Sequence, residues 1–423
     1  MRILAFLVFS VFGIAVMARH AELTPNGKIR NLHQALQSVK PGDTLYIREG
    51  TYMCVNETIR CPLVIIGDGW PVLDGQLKDE VLLITASNVS LSGVVIANSR
   101  CGSIKDYAGL RVFKANQVQI ENCVFQNTFF GIYLSDSKNI TIKNCKSKGA
   151  NFGKSDTGNG IHLWKCDSVY IANNQMQGHR DGIYFEFAKH CFIQHNSCSK
   201  NYRYGLHFMF SDNDTYLENT FAGNGTGVAV MYSKGVHMFG NRFEDNWGDA
   251  AYGLLLKDMD NGIIAGNIFR NNTVGVTMEG GNNMRFANNA FLKNGYAIKV
   301  MANCRLDTFT GNNFTGNTFD ATTNGELHEN IFWFNYWDKY TGYDLNADDV
   351  GDVPFHPVSL YTVLIEQMPN AVMLLRSFIV DLLNAAEKCI PSLVPVTFVD
   401  ERPLMKANII QYKKFNDDTH RKD

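Results

Sequence analysis

Short bursts of alternating apolar and polar residues run along most of the chain, and each burst opens on a glycine. The pattern glycine–apolar–x–apolar occurs at Gly109, Gly131, Gly160, Gly182, Gly205, Gly227, Gly253 and Gly275, then as AIKV from Ala297. The spacings are 22, 29, 22, 23, 22, 26, 22 and 22 residues. Alternation predicts strands with two faces. A period near 22 without helical patterning predicts coils that become stable only by stacking. A second register holds Asn122, Asn144, Asn174, Asn196, Asn219, Asn241, Asn267 and Asn289, and from Asn219 onward each is followed two residues later by phenylalanine. An asparagine amide both donates and accepts, so asparagines stacked at a turn can bond rung to rung. The glycines are expected to permit sharp corners. Leucine-rich repeats share the period, but their leucine-and-asparagine pattern is missing. The expected fold is an all-β, right-handed parallel β-helix of ten or more rungs, with loops inserted at 153–160 and 246–251.

The ends break the pattern and divide the chain. Residues 1–18 read as a secretory signal, with Arg2 ahead of an apolar run and Val16 and Ala18 before the cleavage point. Residues 19–50 read as an N-terminal cap and entry strand, because Ile29, Leu32, Leu36 and Val39 have helical spacing and a helix would cover the open first rung. The coil is assigned to 51–340 and a C-terminal extension to 341–423. In that extension Asp344, Asn346, Asp348 and Asp352 are spaced like calcium ligands. The glutamate at the twelfth position is missing and the glycine is misplaced, so a solvated acidic turn is preferred to a calcium site. Ala371–Ala386 reads as one amphipathic helix, too short and too charged to cross a bilayer. Its apolar residues Leu374, Phe378 and Leu382 either pack on the coil or dock a membrane-embedded partner.

A formal charge of −2 argues against a nucleic-acid partner. Ten cysteines in an exported chain invite disulfides, but a chain of 423 residues does not need them. Cys54 and Cys61 are near enough in sequence to bridge. Cys123 and Cys145 share one place in the repeat and read as small buried residues.

Aligning the rungs puts Ile161 and Leu163, Ile183, Phe185 and Phe187, Leu206, Phe208 and Phe210, Val228, Val230 and Tyr232, and Leu254 and Leu256 inward. The outward residues are then His162 and Trp164, Tyr184 and Glu186, His207 and Met209, Ala229 and Met231, Leu255 and Lys257, Thr277 and Glu279, and Lys299 and Met301. Rungs lie about 4.8 Å apart and alternate residues on a strand about 6.6 Å apart. Met209 and Met231 become direct neighbours, with His207 beside them. Two thioethers and an imidazole favour Cu(I) over zinc, calcium or magnesium. His207, Met209 and Met231 are therefore the candidate metal ligands, with His162, Glu186 and Met301 as assistants. Two other readings of this face remain open. It is covered core, or it is a partner-binding surface that includes Trp164 and Tyr184.

A different class of function also fits a β-helix. Tyr133, Trp164, Tyr184 and Glu186 would make a sugar-binding groove, with Arg180, Asp181, Lys257 and Glu279 as acid–base groups of a polysaccharide-degrading enzyme. Glycoside hydrolysis needs two carboxylates at a set separation, and Glu186 and Glu279 lie four rungs, about 19 Å, apart. A purely structural surface adhesin needs only the signal and the repeat.

Beyond the repeat, GHRDGIYFEF (178–187), NYRYGLHFMFSDND (201–214), GVAVMYSKGV (227–236) and NWGDAAYGLLLKD (246–258) resemble the NosD family. NYWDKYTGYDLNADDVGDVPFHPVS (335–359) and PLMK (403–406) resemble its C-terminal part. The resemblance implies a periplasmic, non-enzymatic, copper-handling accessory of nitrous oxide reductase maturation. It implies partners in an ABC transporter permease and ATPase, a copper lipoprotein chaperone and nitrous oxide reductase. It carries no ligand set, so the metal residues named above rest on the outward face alone.

Overall fold

In a computed structural model the chain winds into a right-handed parallel β-solenoid of about 13 turns. The structure describes residues 19–102, 105–149, 157–327, 329–390 and 398–410. The signal at 1–18, half of the first expected insertion (153–156) and residues 411–423 lie outside them. Each turn contributes one strand to each of three parallel sheets, of 14, 12 and 13 strands. The bursts that open on glycine form the 12-stranded sheet, as in Ile161–Trp164, Asp181–Glu186, Tyr204–Met209 and Thr226–Lys234.

The core is layered by residue type. Phe221, Phe243, Phe269, Phe291 and Phe314 stack ring on ring and end on Trp337, with centroids 4.0–5.6 Å apart. The asparagine ladder beside them is complete from Asn174 to Asn335. Asn196 Nδ2 donates to Asn219 Oδ1 at 3.0 Å while the Asn196 backbone N–H donates to the same oxygen at 2.9 Å. The step recurs down the stack to Asn312 and Asn335. A second ladder links Asn201, Asn224, Asn246, Asn272, Asn294 and Asn317, amide to amide at every step except Asn224 to Asn246, where the backbone N–H donates.

Three sequence expectations need correction. Asn122 and Asn144 are not ladder members. Both sit at left-handed corners (φ 51° and 53°), and the ladder position above Asn174 is Cys145, whose N–H donates to Asn174 Oδ1. Cys123 and Cys145 are buried there, as expected of small residues, and their thiols donate to nearby carbonyls. The repeat glycines do not turn corners either. A Cβ at Gly182, Gly205, Gly227, Gly253 or Gly275 would lie 2.3–2.8 Å from the carbonyl oxygen of the next rung, so these positions are glycine because the backbones approach closely. The corners are made by left-handed residues that are mostly Asn, Asp and Lys. Finally, Phe187, Phe210 and Tyr232 are not inward. Each takes φ of 50–55°, Phe187 and Phe210 just after their strands and Tyr232 within Thr226–Lys234, which breaks the alternation and turns the ring out, 42–46% exposed. The three rings stack on one another outside the coil.

Both ends are closed. Helix α1 (Leu32–Ser38), capped by Asn31, buries Leu32 and Ala35 over the first rung. The strand His20–Leu23 pairs ahead of it with Thr44–Arg48. At the other end Asp400 terminates the main ladder, accepting from Asn335 Nδ2 and Trp337 Nε1, each at 3.0 Å. Burial pushes its carboxyl above the usual range. Cys54 and Cys61 are not bridged.

The expected helix Ala371–Ala386 is two elements. Helix α2 (Leu360–Gln367) is followed by a 3₁₀ turn (Pro369–Leu374), and a second α-helix, α3 (Phe378–Cys389), starts after Arg376 at φ 70°. Proline stops propagation at one side and Ser377 offers a fresh N-terminus at the other. Helix α2 packs Tyr361 against Phe319, the last rung of the 12-stranded sheet, and Glu366 pairs with Lys299 at 2.9 Å.

Candidate metal-binding face

The outer face of the 12-stranded sheet carries two side-chain columns in the expected register. The first runs Arg111, Tyr133, His162, Tyr184, His207, Ala229, Leu255, Thr277 and Lys299. The second runs Ser135, Trp164, Glu186, Met209, Met231, Lys257 and Glu279. Glycine opens each strand and sets the phase, so inward leucines and phenylalanines leave these side chains outside.

The first column is a stack of rings. Arg111 lies over Tyr133 at 4.2 Å, and the centroids of Tyr133 and His162, His162 and Tyr184, and Tyr184 and His207 are 4.4, 4.8 and 5.0 Å apart. Packing buries both histidines although they face outward. His162 Nδ1 meets the Asn159 amide at 3.0 Å, and burial followed by Arg180 and Arg111 pushes its pKa down to about 3. Tyr184 donates to Glu186 at 3.2 Å, and burial followed by that carboxylate raises its phenol to about 12.

His207 has the most particular surroundings. Arg203 Nη2 donates to its Nδ1 at 3.1 Å, and a guanidinium can only donate. Asp181, with no exposed side chain, takes a two-pronged bond from Arg203 and lies 3.8 Å from the same Nδ1. Burial drives the Asp181 carboxyl up, but the neighbouring His207 ring and the Arg203 guanidinium outweigh it and hold it below its usual value. The other ring nitrogen, Nε2, is buried with no hydrogen-bond partner. Orphaned polar atoms of this kind are rare in folded proteins and ask for an explanation.

Met209 pairs with Met231 across adjacent strands, His207 is two residues from Met209, and both methionines are half-buried. Glu186 adjoins Met209 in the same column. The other sequence candidates do not join them. Tyr184 separates His162 from His207, while Lys257 and Glu279, themselves paired at 3.5 Å, separate Met231 from the Met301 position. Trp164 is half-buried under Lys165. Among the described residues no three His, Cys, Asp or Glu side chains converge as a metal would need. At the acidic turn, Asp344, Asp348 and Asp352 instead accept backbone N–H groups of their own loop. Leu374, Phe378 and Leu382 are all exposed, beside Met373 at 85%.

Arg203 is the residue that pattern reasoning passes over. The repeat does not mark it, since the register partner of Asp181 one turn on is Tyr204 and Arg203 lies one residue before it.

Comparison with known proteins adds to this geometry. The family described as "Periplasmic copper-binding protein (NosD)" matches residues 145–344, and a right-handed β-helix region matches residues 76–158. A protein of Stutzerimonas stutzeri named "Probable ABC transporter binding protein NosD" is 26% identical over 371 residues, 82% of this chain and 84% of that one. Its namesake in Pseudomonas aeruginosa is 27% identical over 372 residues, 83% and 86% of the two chains. Solved structures share the fold alone. The Streptococcus pneumoniae surface protein and adhesin PfbA aligns with a TM-score of 0.53 at 14% identity, covering 72% of this chain and 97% of its own. The catalytic domain of an α-1,3-glucanase aligns at 0.57 and 13%, covering 76% and 69%.

Proposed function

We propose that this chain, which is related to the NosD proteins, is a non-catalytic periplasmic carrier that holds Cu(I) on the outer face of its 12-stranded sheet. Met209 and Met231 supply the thioethers and His207 Nε2 supplies the nitrogen. The observation that carries this reading is the juxtaposition of two paired methionines with a buried imidazole nitrogen that has no other partner. Soft, neutral donors suit Cu(I) and bind harder divalent ions poorly. Glu186, Met301 and His162 assist entry or contact a partner rather than complete the first set of ligands. The recipient of the metal is the copper centre of nitrous oxide reductase, and the source is a copper lipoprotein chaperone.

Anaerobic Cu(I) titration against a competing chelator tests the assignment. The Met209→Ala/Met231→Ala chain is expected to bind at least 100-fold more weakly than the parent, about 2.7 kcal/mol. Equal affinity in the two chains would remove the methionines from the site.

The exposed apolar residues from Met373 to Leu382 are the surface offered to an ABC transporter, which the relatives' names say those proteins bind. Burying Phe378, 78% exposed, against a permease removes about as much apolar surface as burying a core side chain, about 1.5–3 kcal/mol. Phe378→Glu/Leu382→Glu is expected to abolish co-purification with the permease while leaving Cu(I) affinity within about twofold of the parent. Retained co-purification would place the contact elsewhere.

The enzyme reading has less support. Glu186 is spent on Tyr184, Glu279 on Lys257, and three residues of the column separate the two strands that carry them.

A further inference from the structure

The arrangement around His207 is at odds with ready metal binding. Because Arg203 can only donate, His207 Nδ1 must be the accepting nitrogen. A neutral ring then carries its proton on Nε2, the atom assigned to copper. In that tautomer His207 has no lone pair to offer. We infer that Arg203 is a latch on the site: it holds His207 in the tautomer that cannot bind metal, and Asp181 is the acceptor that stabilises the tautomer that can. The metal half of this inference rests on the ligand assignment above; the tautomer half does not.

The geometry supplies both positions of the latch. Asp181 is 3.8 Å from His207 Nδ1, close enough that a small ring rotation makes a bond once Arg203 leaves. Arg203 has somewhere to go. Its side chain is 43% exposed while those of Asp181 and His207 are 0% and 7% exposed, and its guanidinium already lies 4.8 Å over the ring of Tyr204. The exchange conserves atoms and charge. Nε2 gives its proton to water, Nδ1 takes one from water and donates it to Asp181, and Arg203 turns to solvent. The incoming cation replaces the guanidinium as the positive partner of the buried carboxylate. Asp181 is therefore never left without a compensating charge, which would be costly at a buried site. Arg203 and Asp181 are positioning residues: neither touches the metal, and both act through His207.

Two measurements on the full chain test this. The first needs no metal. In protein labelled with ¹⁵N-histidine, the His207 ring is expected to show the Nε2–H tautomer in the parent, and to move toward Nδ1–H in Arg203→Met. An Nδ1–H ring in the parent would overturn the latch. The second uses Ag(I) as a redox-inert probe of the Cu(I) site. Arg203→Met is expected to bind about tenfold tighter than the parent, and Asp181→Asn more weakly. Equal affinity of parent and Arg203→Met would overturn the gating role. Arg203→Gln, which keeps a polar stem over Tyr204, repeats both tests should the methionine variant misfold. The two readings fail differently. Ag(I) affinity unchanged by His207→Gln would sink the ligand assignment, while an Nδ1–H parent sinks the latch whatever the metal does.

Discussion

Asn267→Ala is expected to destabilise the chain by about 4 kcal/mol, although it changes one small side chain far from the outer face. Asn267 is fully buried in the main ladder. Its Oδ1 accepts from the Asn241 N–H at 2.8 Å and from Asn241 Nδ2 at 3.0 Å. Its Nδ2 donates to the Met238 carbonyl at 2.9 Å and to Asn289 Oδ1 at 3.0 Å. Alanine removes all four bonds and leaves the Asn241 N–H and the Met238 carbonyl without these partners inside the coil. A buried group left unsatisfied costs about 1–3 kcal/mol, which sets the total near 4. The stack also couples rungs, since a solenoid is held by nearest-neighbour interfaces. Urea midpoints of parent and variant measure the loss. Asn271→Ala is the control, because Asn271 is exposed at a left-handed corner and its amide reaches only Asp245. It should cost about 1–2 kcal/mol, chiefly the strain of alanine at positive φ. A loss at Asn267 no greater than at Asn271 would mean that the ladder amides contribute nothing net.

Much of this is legible in the sequence because the solenoid repeats its physics every turn. One phase, set by the opening glycine, fixes which side chains face out, and Met209 and Met231 fall opposite each other as alternation requires. What is not legible is whatever breaks the phase. A left-handed residue in or just after the strand breaks the alternation, so Phe187, Phe210 and Tyr232 read as core when they form an exposed stack. Asn122 and Asn144 sit one residue off the ladder for a related reason: consecutive positions near a corner differ in backbone conformation, and spacing alone does not distinguish them. The second ladder, Asn201 to Asn317, runs at the same period and is masked by the first, which by itself accounts for the repeat. The site differs from the fold in kind. Its ligand column follows from periodicity, but the Arg203–Asp181 pair depends on side chains bending across neighbouring rungs, and no period encodes that.

The stability contributed by Asp214 and Asp307 should fall as pH rises from 4 to 8, so that Asp214→Asn/Asp307→Asn gains on the parent steadily over that range. Both aspartates occupy inner corners with no exposed surface. Each uses one oxygen as an acceptor, Asp214 for the Cys191 N–H at 2.7 Å and Asp307 for the Met284 N–H at 2.8 Å, and each leaves its second oxygen buried without a hydrogen bond. Burial drives both carboxyl groups up to about 7, more than the backbone bonds pull them down. A folded-state pKa above the unfolded one means that the folded chain holds these protons more tightly. Their contribution is complete below about pH 4, where both states are protonated, and is lost progressively as pH rises toward about 7. Above pH 7 the fold must carry two buried carboxylates, a cost of several kcal/mol, since each tenfold difference in proton affinity between the folded and unfolded chain is worth about 1.4 kcal/mol. Asparagine keeps the accepting oxygen and cannot ionise. An amide is also at home in such a corner: Asn330, whose Oδ1 accepts from the Asp307 N–H, donates its own amide to the Cys304 carbonyl at 3.0 Å. The double variant should therefore melt near the parent at pH 4 and well above it at pH 8, by about 5 °C or more, since 1 kcal/mol moves Tm by about 2–4 °C or less in chains this large. Parallel melting curves of parent and variant across that range would show that these two carboxyl groups titrate as they do in the unfolded chain, and that the buried corners tolerate charge.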